Sequence, residues 1–585
     1  MASFLQWNCR GFYRNYPFFK VLLSEMNPSV IALQETKFKA NTDIKGLRAY
    51  TPYSKPYTGG VIASGGAALF IKTDLIQTEI PLNTQLQAVA ARVTIHNRPI
   101  SAISLYLNPD DRISLQQLNQ LVSQVPPPYL IMGDLNAHNP MWGGHSRDPK
   151  GRLIEEFIRV NNLVLFNDRR PTWECISSGR SSTIDLTLGH PSLRVSFDWD
   201  ILPDKCGSDH FPTVLQHISR SNGSDLRPQH WVMAKAKLDL FKNLCEEGLT
   251  QELVETENAM SQFTKKLREI ALICIPKSSA IPKKPPVPWF DQDCIDAKKA
   301  KRRKQNRVKH QRTLIRVEEF KSEESACRLL FDMKKSKSWQ SYVSGLTQNV
   351  NSKQVWDMIK KISGKNILPP IKPLKLEGGR VLETRQEICE ELADTFRFHS
   401  SSENLPDGFA RIKAQKERTP IHIDQESIGD EVYNRDFSME EFKCALDPAK
   451  NTAPGPDDIT YEMIRQLPDS STETLLNIIN SMWRNRTFPD EWKEAIIIPL
   501  PKPDKDHSNP SFYRPISLTS CLCKLMERMI NNRLTWYLET NNLISRWQSG
   551  ARQNRSTVDQ LIRLETYVRE AWARKEHVVS VFFRY

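Results

Sequence analysis

The chain has 585 residues, 39% of them hydrophobic and 25% charged, with a formal net charge of +13. That length exceeds one hydrophobic core, so two to four domains are expected, and the composition is ordinary for soluble globular protein. No run approaches the roughly 18 apolar residues of a membrane helix, and MASFLQWNCRG lacks the layout of a secretory signal, so neither a membrane partner nor export is expected.

The 11 cysteines include no CxxC pair, the closest being Cys521 and Cys523, which fits a reducing compartment and gives no zinc knuckle. Ten Lys or Arg and no acid fall between Lys298 and Arg316; without them 71 basic residues (81 − 10) face 68 acidic ones. The basic excess is one segment, which suits a polyanion contact, a solvated helix face or a nuclear-import signal.

In chain order, residues 1–217 alternate short apolar runs with turn residues. SFLQWN, SVIALQE, GAALFIK, AVAARVTI, ISAISLYL, PYLIMGDLN and STIDLTLG each predict a strand, and Phe18–Met26 and Leu153–Asn161 have helical spacing. The mixture predicts an α/β domain with buried central strands. SRSNGSDLRPQ then reads as a linker, Lys265–Ile275 as helical, and the proline-rich Ile281–Trp289 as extended. A basic helix is expected from about Asp291 to past Lys334, because no Gly or Pro interrupts it, and Leu368–Pro373 breaks the chain again. Three divisions follow: an α/β domain over 1–217, a helical, basic, proline-broken connector over 218–435, and a final region over 436–585.

Hydrolysis of a phosphodiester with a metal needs carboxylates for the cation, a group that places water in line, and donors for the crowded phosphorane. Polar residues at strand ends supply these types: Asn8 after the first run, Glu35 after VIAL, Tyr106 closing ISAISLYL, and Asp134 and Asn136 after YLIMG, with Gly133 allowing a tight exit. Asp185 lies within the apolar STIDLTL, where a buried carboxylate must be paired, and Ser208-Asp209-His210 precedes another apolar stretch. Singly, each is more often a cap or turn former; the ordered ensemble carries the signal.

That series, QWNCRG, ALQET, SLYLNP, MGDLNAH, STIDLTL and SDH, resembles the exonuclease–endonuclease–phosphatase family, which includes the endonucleases of non-LTR retrotransposons. The resemblance covers about residues 1–217 and implies a four-layer α/β sandwich and Mg²⁺ as cofactor, with Mn²⁺ as a substitute. By motif it places Asn8, Glu35 and Asp209 at the metal and Asp134 and Asn136 on the attacking water. His210 would stand beside the scissile phosphate, oriented by Asp185, and Tyr106 would donate to a phosphate oxygen. Thr172, in PTWEC, would contact a phosphate and Ser208 would support it, while Trp142 in NPMWGG matches retrotransposon enzymes or packs locally. Tyr106-Leu107-Asn108-Pro109 departs from the family's order, which leaves Asn108 outside the set.

Four later stretches, NTAPGPDDITYEMIRQLP, FPDEWKEAIIIPLPKP, YRPISLTSCLCKLMERMINNRL and SRWQSGARQNRSTVDQLIRLE, resemble the fingers and early palm of non-LTR reverse transcriptases of the jockey type. Arg514, Arg552 and Arg555 are donors suited to a template backbone or an incoming phosphate, and Pro454-Gly455-Pro456-Asp457 reads as a turn before a helix. The family places its first catalytic aspartate after a VVxVFF-type strand. This chain reads VVSVFFRY, with Arg584 at that position, so it is expected to make no DNA itself, and Val578–Phe583 to leave an exposed apolar edge. The resemblance implies a retrotransposon polyprotein whose endonuclease nicks target DNA to prime copying of the element's RNA, acting in the nucleus. Two alternatives stay open: a decayed product that only binds nucleic acid, and a phosphoesterase of the same fold acting on abasic DNA or a small phosphorylated molecule.

Overall fold

The apolar runs of the first 217 residues become the central strands of two facing six-stranded sheets. The computed structural model describes the chain except Met1 and residues 40–43, 45–46, 48, 57–64, 219–228, 280–286, 346–354, 357–369, 420–431 and 582–585. Most of the expected SRSNGSDLRPQ linker and the Ile281–Trp289 extended segment, part of Leu368–Pro373, Phe582 and Phe583 of the apolar edge, and Arg584 lie outside the described residues.

The first sheet contains β1 (Ser3–Asn8), β2 (Val30–Gln34), β3 (Tyr50–Lys55), β4 (Ala67–Lys72), β13 (Phe197–Ile201) and β14 (Thr213–His217), in the order β13-β14-β1-β2-β4-β3. The second contains β5 (Gln77–Ile80), β6 (Gln87–Ile95), β7 (Arg98–Tyr106), β8 (Tyr129–Asp134), β9 (Val164–Leu165) and β12 (Asp185–Gly189), in the order β5-β6-β7-β8-β12-β9. A short hairpin, β10 (Trp173–Glu174) and β11 (Ser181–Ser182), stands apart from both. Every strand predicted within residues 1–217 is present; β3, β5, β9, β10, β11, β13 and β14 were not expected.

Strand alternation sorts the apolar side chains into layers. Phe4, Val30, Ala32, Leu69 and Ile71 meet Val89, Ala91, Val93, Leu130 and Met132 between the sheets. Leu5, Trp7, Ile31, Leu33 and Phe70 face the other way, onto Phe12, Phe19 and Leu22 of α1 (Phe12–Met26). On the far side, Ala90, Ile103, Leu105, Ile131 and Leu188 pack on Leu118 and Leu121 of α2 (Leu115–Ser123) and on Ile154 and Phe157 of α3 (Pro149–Val160). The result is a four-layer α/β sandwich. Both expected helices are present, and each starts a few residues earlier than its apolar spacing showed.

Two compact units divide the chain. One comprises Met1–Pro228, Ser279–Asn404 and Pro501–Arg514; the other comprises Gln229–Ser278, Leu405–Leu500 and Pro515–Tyr585. Residues of the 218–435 stretch therefore occur in both. In the second unit, α4 (Leu238–Gly248) and α5 (Ala259–Cys274) share a core with later helices through Phe241, Phe263, Leu267, Phe442, Leu475, Ile479 and Leu525.

In the first unit, the basic segment is two helices rather than one: α6 (Gln292–His310) and α7 (Leu314–Ser344). The expected continuous helix fails without Gly or Pro because Thr313 caps a new one, its side chain accepting from Arg316 N. Arg316 Nη1 also donates to the Gln311 carbonyl at 3.1 Å, and Val308, Val317 and Phe320 close the turn around an apolar cluster.

The Pro454–Asp457 turn is present and precedes a short helix, Tyr461–Arg465. Gly455 is needed there because a Cβ would stand 2.6 Å from the backbone of Thr519 and Ser520. Residues 578–581, expected as a strand, have no regular structure.

Candidate active site

Strand directions gather the polar strand ends. β1 and β2 are parallel, with Asn8 beside Gln34, so Asn8 and Glu35 leave the first sheet together. β7 and β8 are parallel, with Tyr106 beside Asp134, and antiparallel β12 sets Asp185 opposite Asp134. β14 runs antiparallel to β1, which brings the Ser208–His210 segment before it to the same end. Buried polar side chains tie the sheets across this end. Gln34 Nε2 donates to Ser104 Oγ at 3.0 Å, Gln6 Nε2 to the Gly133 carbonyl at 3.0 Å, and Thr187 Oγ1 to Gln6 Oε1 at 3.0 Å.

Asn8 is the centre of the cluster. Its amide donates to Glu35 Oε1 at 3.0 Å and to Asp134 Oδ2 at 2.8 Å, so one side chain sets both carboxylates. The Tyr106 hydroxyl lies 3.4 Å from Glu35 Oε1. Asn136 N donates to Asp134 Oδ1 at 3.2 Å, while its side-chain amide is held by the Leu107 carbonyl. Glu35 and Asn136 have φ of 47° and 44°, left-handed values that L side chains adopt at a cost and that recur at functional sites.

His210 Nδ1 donates to Asp185 Oδ2 at 2.8 Å, and its Nε2 stands 4.0 Å from Asp134 Oδ2. Burial pushes the imidazole down, but the charge and hydrogen bond of Asp185, with Asp134 and Asp209, outweigh it and raise the pKa to about 9. Burial pushes Asp134 up to about 7, against the lowering effect of His210. Burial and the charges of Glu35 and Asp134 raise Tyr106, keeping it a hydroxyl donor. Asp185 Oδ1 is buried without a hydrogen-bond partner.

Glu35, Asp134 and His210 each offer a donor atom, and those atoms lie within 4.8 Å of one another. Two of the donors are carboxylate oxygens, the ligand type that Mg²⁺ and Mn²⁺ take. His210, raised as it is, is a cation at neutral pH and suits an anion better than a metal. The residues present fit a divalent cation held by Glu35 and Asp134 with Asn8 beside them.

The other expected residues lie around this cluster. Asp209 is outside the three-residue group; its carboxylate meets Arg10 at 3.1 Å and Trp173 Nε1 at 3.3 Å. Ser208 Oγ donates to the Asn8 carbonyl at 2.8 Å. Thr172, expected on a phosphate, is fully buried, and its hydroxyl accepts from Ile184 N and Asp185 N at 3.2 and 3.0 Å. It fixes the start of β12 and hence Asp185. Trp142 is buried too and donates to the Ala137 carbonyl, which is the local-packing alternative.

Gly133 has a different task from the one expected. It sits inside β8, where a Cβ would come 2.5 Å from the Leu105 carbonyl, so it serves close strand approach rather than a turn. Arg10, the partner of Asp209, was missed; its only signal was a lone cation two residues after Asn8. Gln6, Gln34 and Ser104 were missed as well, although polar residues inside fully buried strands were visible as misfits.

The three expected reverse-transcriptase arginines belong to the later part of the chain. Arg514 is exposed in the strand Tyr513–Leu518, the partner of the strand Ile496–Pro501 in a two-stranded sheet. Arg552 is hydrogen-bonded to Glu539 at 2.8 Å and to the Ser545 carbonyl at 3.0 Å. Arg555 lines an open cavity of about 580 Å³ with Trp547, Gly550 and Gln560.

Residues 100–214 match the endonuclease-reverse transcriptase family, and residues 500–583 match the reverse transcriptase (RNA-dependent DNA polymerase) family. The chain is 25% identical over 609 residues to the probable RNA-directed DNA polymerase from transposon BS of Drosophila melanogaster, covering 99% of this chain and 64% of that protein. It is also 25% identical over 594 residues to the RNA-directed DNA polymerase from mobile element jockey of the same organism, covering 98% of this chain and 63% of that protein. The chain thus spans a little under two thirds of the length of these relatives. Among solved structures, the endonuclease domain of TRAS1, a telomere-specific non-LTR retrotransposon, aligns with 38% of this chain and 100% of its own at 21% identity, with a TM-score of 0.33. Among the described residues, no helix is long and apolar enough to cross a membrane.

Proposed function

We propose that the chain carries an endonuclease segment followed by a reverse-transcriptase segment of the non-LTR retrotransposon kind, and that its first unit nicks one strand of target DNA with the help of a divalent cation. The observation that carries this reading is the meeting of Asn8, Glu35, Asp134, Asp185 and His210 through hydrogen bonds across the two sheets.

Glu35 and Asp134 would hold Mg²⁺ or Mn²⁺, which when bound polarises the scissile phosphate and neutralises charge on the departing oxygen. Asn8 keeps both carboxylates aimed at one point. Asp134 accepts the proton of the water that attacks phosphorus, and the Asn136 backbone donates to its other oxygen, fixing the carboxylate's rotation. His210, charged and locked by Asp185, donates from Nε2 to a non-bridging phosphate oxygen as negative charge builds there. The Tyr106 hydroxyl donates to the same phosphate. The P–O3′ bond breaks and the departing oxygen takes a proton from solvent, leaving a 3′-hydroxyl and a 5′-phosphate. In the complete element, that hydroxyl would prime copying of the element's RNA in the nucleus.

The full chain incubated with supercoiled plasmid tests this. Nicked circles are expected with Mg²⁺ and none with EDTA, and Glu35→Gln or His210→Ala is expected to slow nicking by about 10²-fold or more. Intact plasmid with Mg²⁺, or equal nicking by parent and variants, would contradict the proposal. Offering intact and abasic duplexes side by side separates nicking of intact DNA from the abasic alternative.

A further inference from the structure

We propose that the α6–α7 hairpin is a second DNA-gripping element of the nuclease, holding the backbone of duplex DNA beside the bond that is cut; this rests on the endonuclease reading above. The hairpin belongs to the same unit as the two sheets, and the cations of α6 fall into those that hold it down and those left open.

Four of the five lysines of α6 pair with carboxylates outside the helix, while Lys299 pairs with Asp296 within it. Lys298 binds Glu25 at 2.7 Å, Lys301 binds Asp204 at 2.8 Å in a buried pair, and Lys304 binds Glu319 of α7 at 2.7 Å. Lys309 lies 3.8 Å from Glu174 and 4.9 Å from the centre of the Phe211 ring, next in sequence to His210. At the turn, Arg312 Nε donates to the Ile176 carbonyl at 3.2 Å. Apolar contacts complete the dock: Phe331 of α7 lies 4.9 Å from Phe18 and 5.5 Å from Trp289, ring centre to ring centre.

The end of α6 therefore rests on the rim of the site. Glu174 N donates to the Asp209 carbonyl at 3.1 Å, and Trp173 bridges to His210. Asp204, the partner of Lys301, opens the loop that leads to Ser208-Asp209-His210.

Arg302, Arg303 and Arg307 differ from the lysines in having no carboxylate partner among the described residues. All three are exposed, on the side of α6 away from its buried Cys294, Lys301, Gln305 and Val308. None forms an ion pair among the described residues. Guanidinium groups left open at this density suit phosphate oxygens. With 19 residues, α6 is about 28 Å long, which spans roughly eight base pairs of duplex. A docked, rigid helix that reaches the site rim suits the target duplex of that site.

The test measures binding by the full chain, in EDTA so that cutting plays no part, to a fluorescent duplex of about 30 base pairs over a range of salt concentrations. The combined variant Arg302→Gln, Arg303→Gln, Arg307→Gln is expected to flatten the slope of log affinity against log salt by about 0.9 per lost phosphate contact, or about 2.7 for three. Affinity at moderate salt should fall about tenfold or more, and the matching Arg→Lys triple variant should keep most of it, because phosphate contact depends on charge. Thermal melting of the Gln variant should match the parent, since none of the three groups holds the fold. An unchanged slope and affinity would overturn the proposal, as would a loss confined to single-stranded RNA. A parent that shows the arginine-dependent slope yet never nicks plasmid would overturn the nuclease reading and leave the hairpin's contact with DNA standing.

Discussion

At the scale of single residues, the site depends on pairs in which one side chain fixes another. Asp185 fixes the tautomer of His210 and raises its pKa to about 9. If protonated His210 donates to the phosphate, nicking holds up to that pH and fails above it. Asp185→Asn removes the charge, so the alkaline limb should move toward the ordinary histidine value near about 6.5, with a rate loss of about 10²–10⁴-fold at neutral pH. The nicking rate measured across pH checks both the size and the direction; a limb that moves toward higher pH would contradict the role. Asn8→Ala should cost as much as losing a carboxylate, because both Glu35 and Asp134 lose their donor. Residue types at the site were readable from the sequence because polar groups ended apolar runs. Their mutual hydrogen bonds were not, since Asn8 and Asp134 are 126 positions apart. The place of Thr172 as a buried acceptor for the start of β12 has no signature beyond its own side chain.

At the scale of elements, the Asp204–Lys301 pair fastens α6 to the sandwich. Burial pushes the Asp204 carboxyl up, but the Lys301 charge and hydrogen bond outweigh it and hold the group below its usual range. Burial pushes Lys301 down, and Asp204 outweighs that to hold it above its usual value. The pair's contribution to stability is therefore full between about pH 4 and about pH 10. It is lost as pH falls through the folded pKa of Asp204 or rises through that of Lys301. Asp204→Ala leaves a buried ammonium unpaired and should cost about 3–5 kcal/mol, whereas replacing both partners with apolar residues should cost far less. Denaturant unfolding of the two variants distinguishes these outcomes, and equal costs would refute the pairing argument. Gly133→Ala should destabilise by about 1–3 kcal/mol, because its Cβ would meet the Leu105 carbonyl of β7. The apolar periodicity exposed both α1 and α3, but the α6–α7 break escaped it. Thr313 ends one helix and starts another by a single capping bond, and nothing in the composition around it differs from helix interior.

At the scale of the whole molecule, the nuclease unit is assembled from separated stretches of chain, with 229–278 belonging elsewhere. A fragment ending near residue 220 keeps both sheets but loses α6 and α7, and with them the cover over Phe18 and the partner of Asp204. Such a fragment should melt about 2–4 °C or more below the nuclease transition of the full chain, reflecting a loss of at least about 1 kcal/mol. Equal melting would show that the hairpin adds no stability. The sandwich was legible in the sequence because its strands are near-continuous apolar runs with functional residues at their ends. The discontinuity of the unit was not, because the ties that create it join single residues: Lys301 to Asp204, Arg328 to Asn15, Phe331 to Phe18.

Manganese binding to the full chain, followed by the electron paramagnetic resonance of the free ion, probes the shared carboxylate cluster most directly. The parent should bind one more ion per chain than Asp134→Asn or Glu35→Gln, with the fold of each variant intact by circular dichroism. Identical titration curves for parent and variants would contradict a cation held between Glu35 and Asp134.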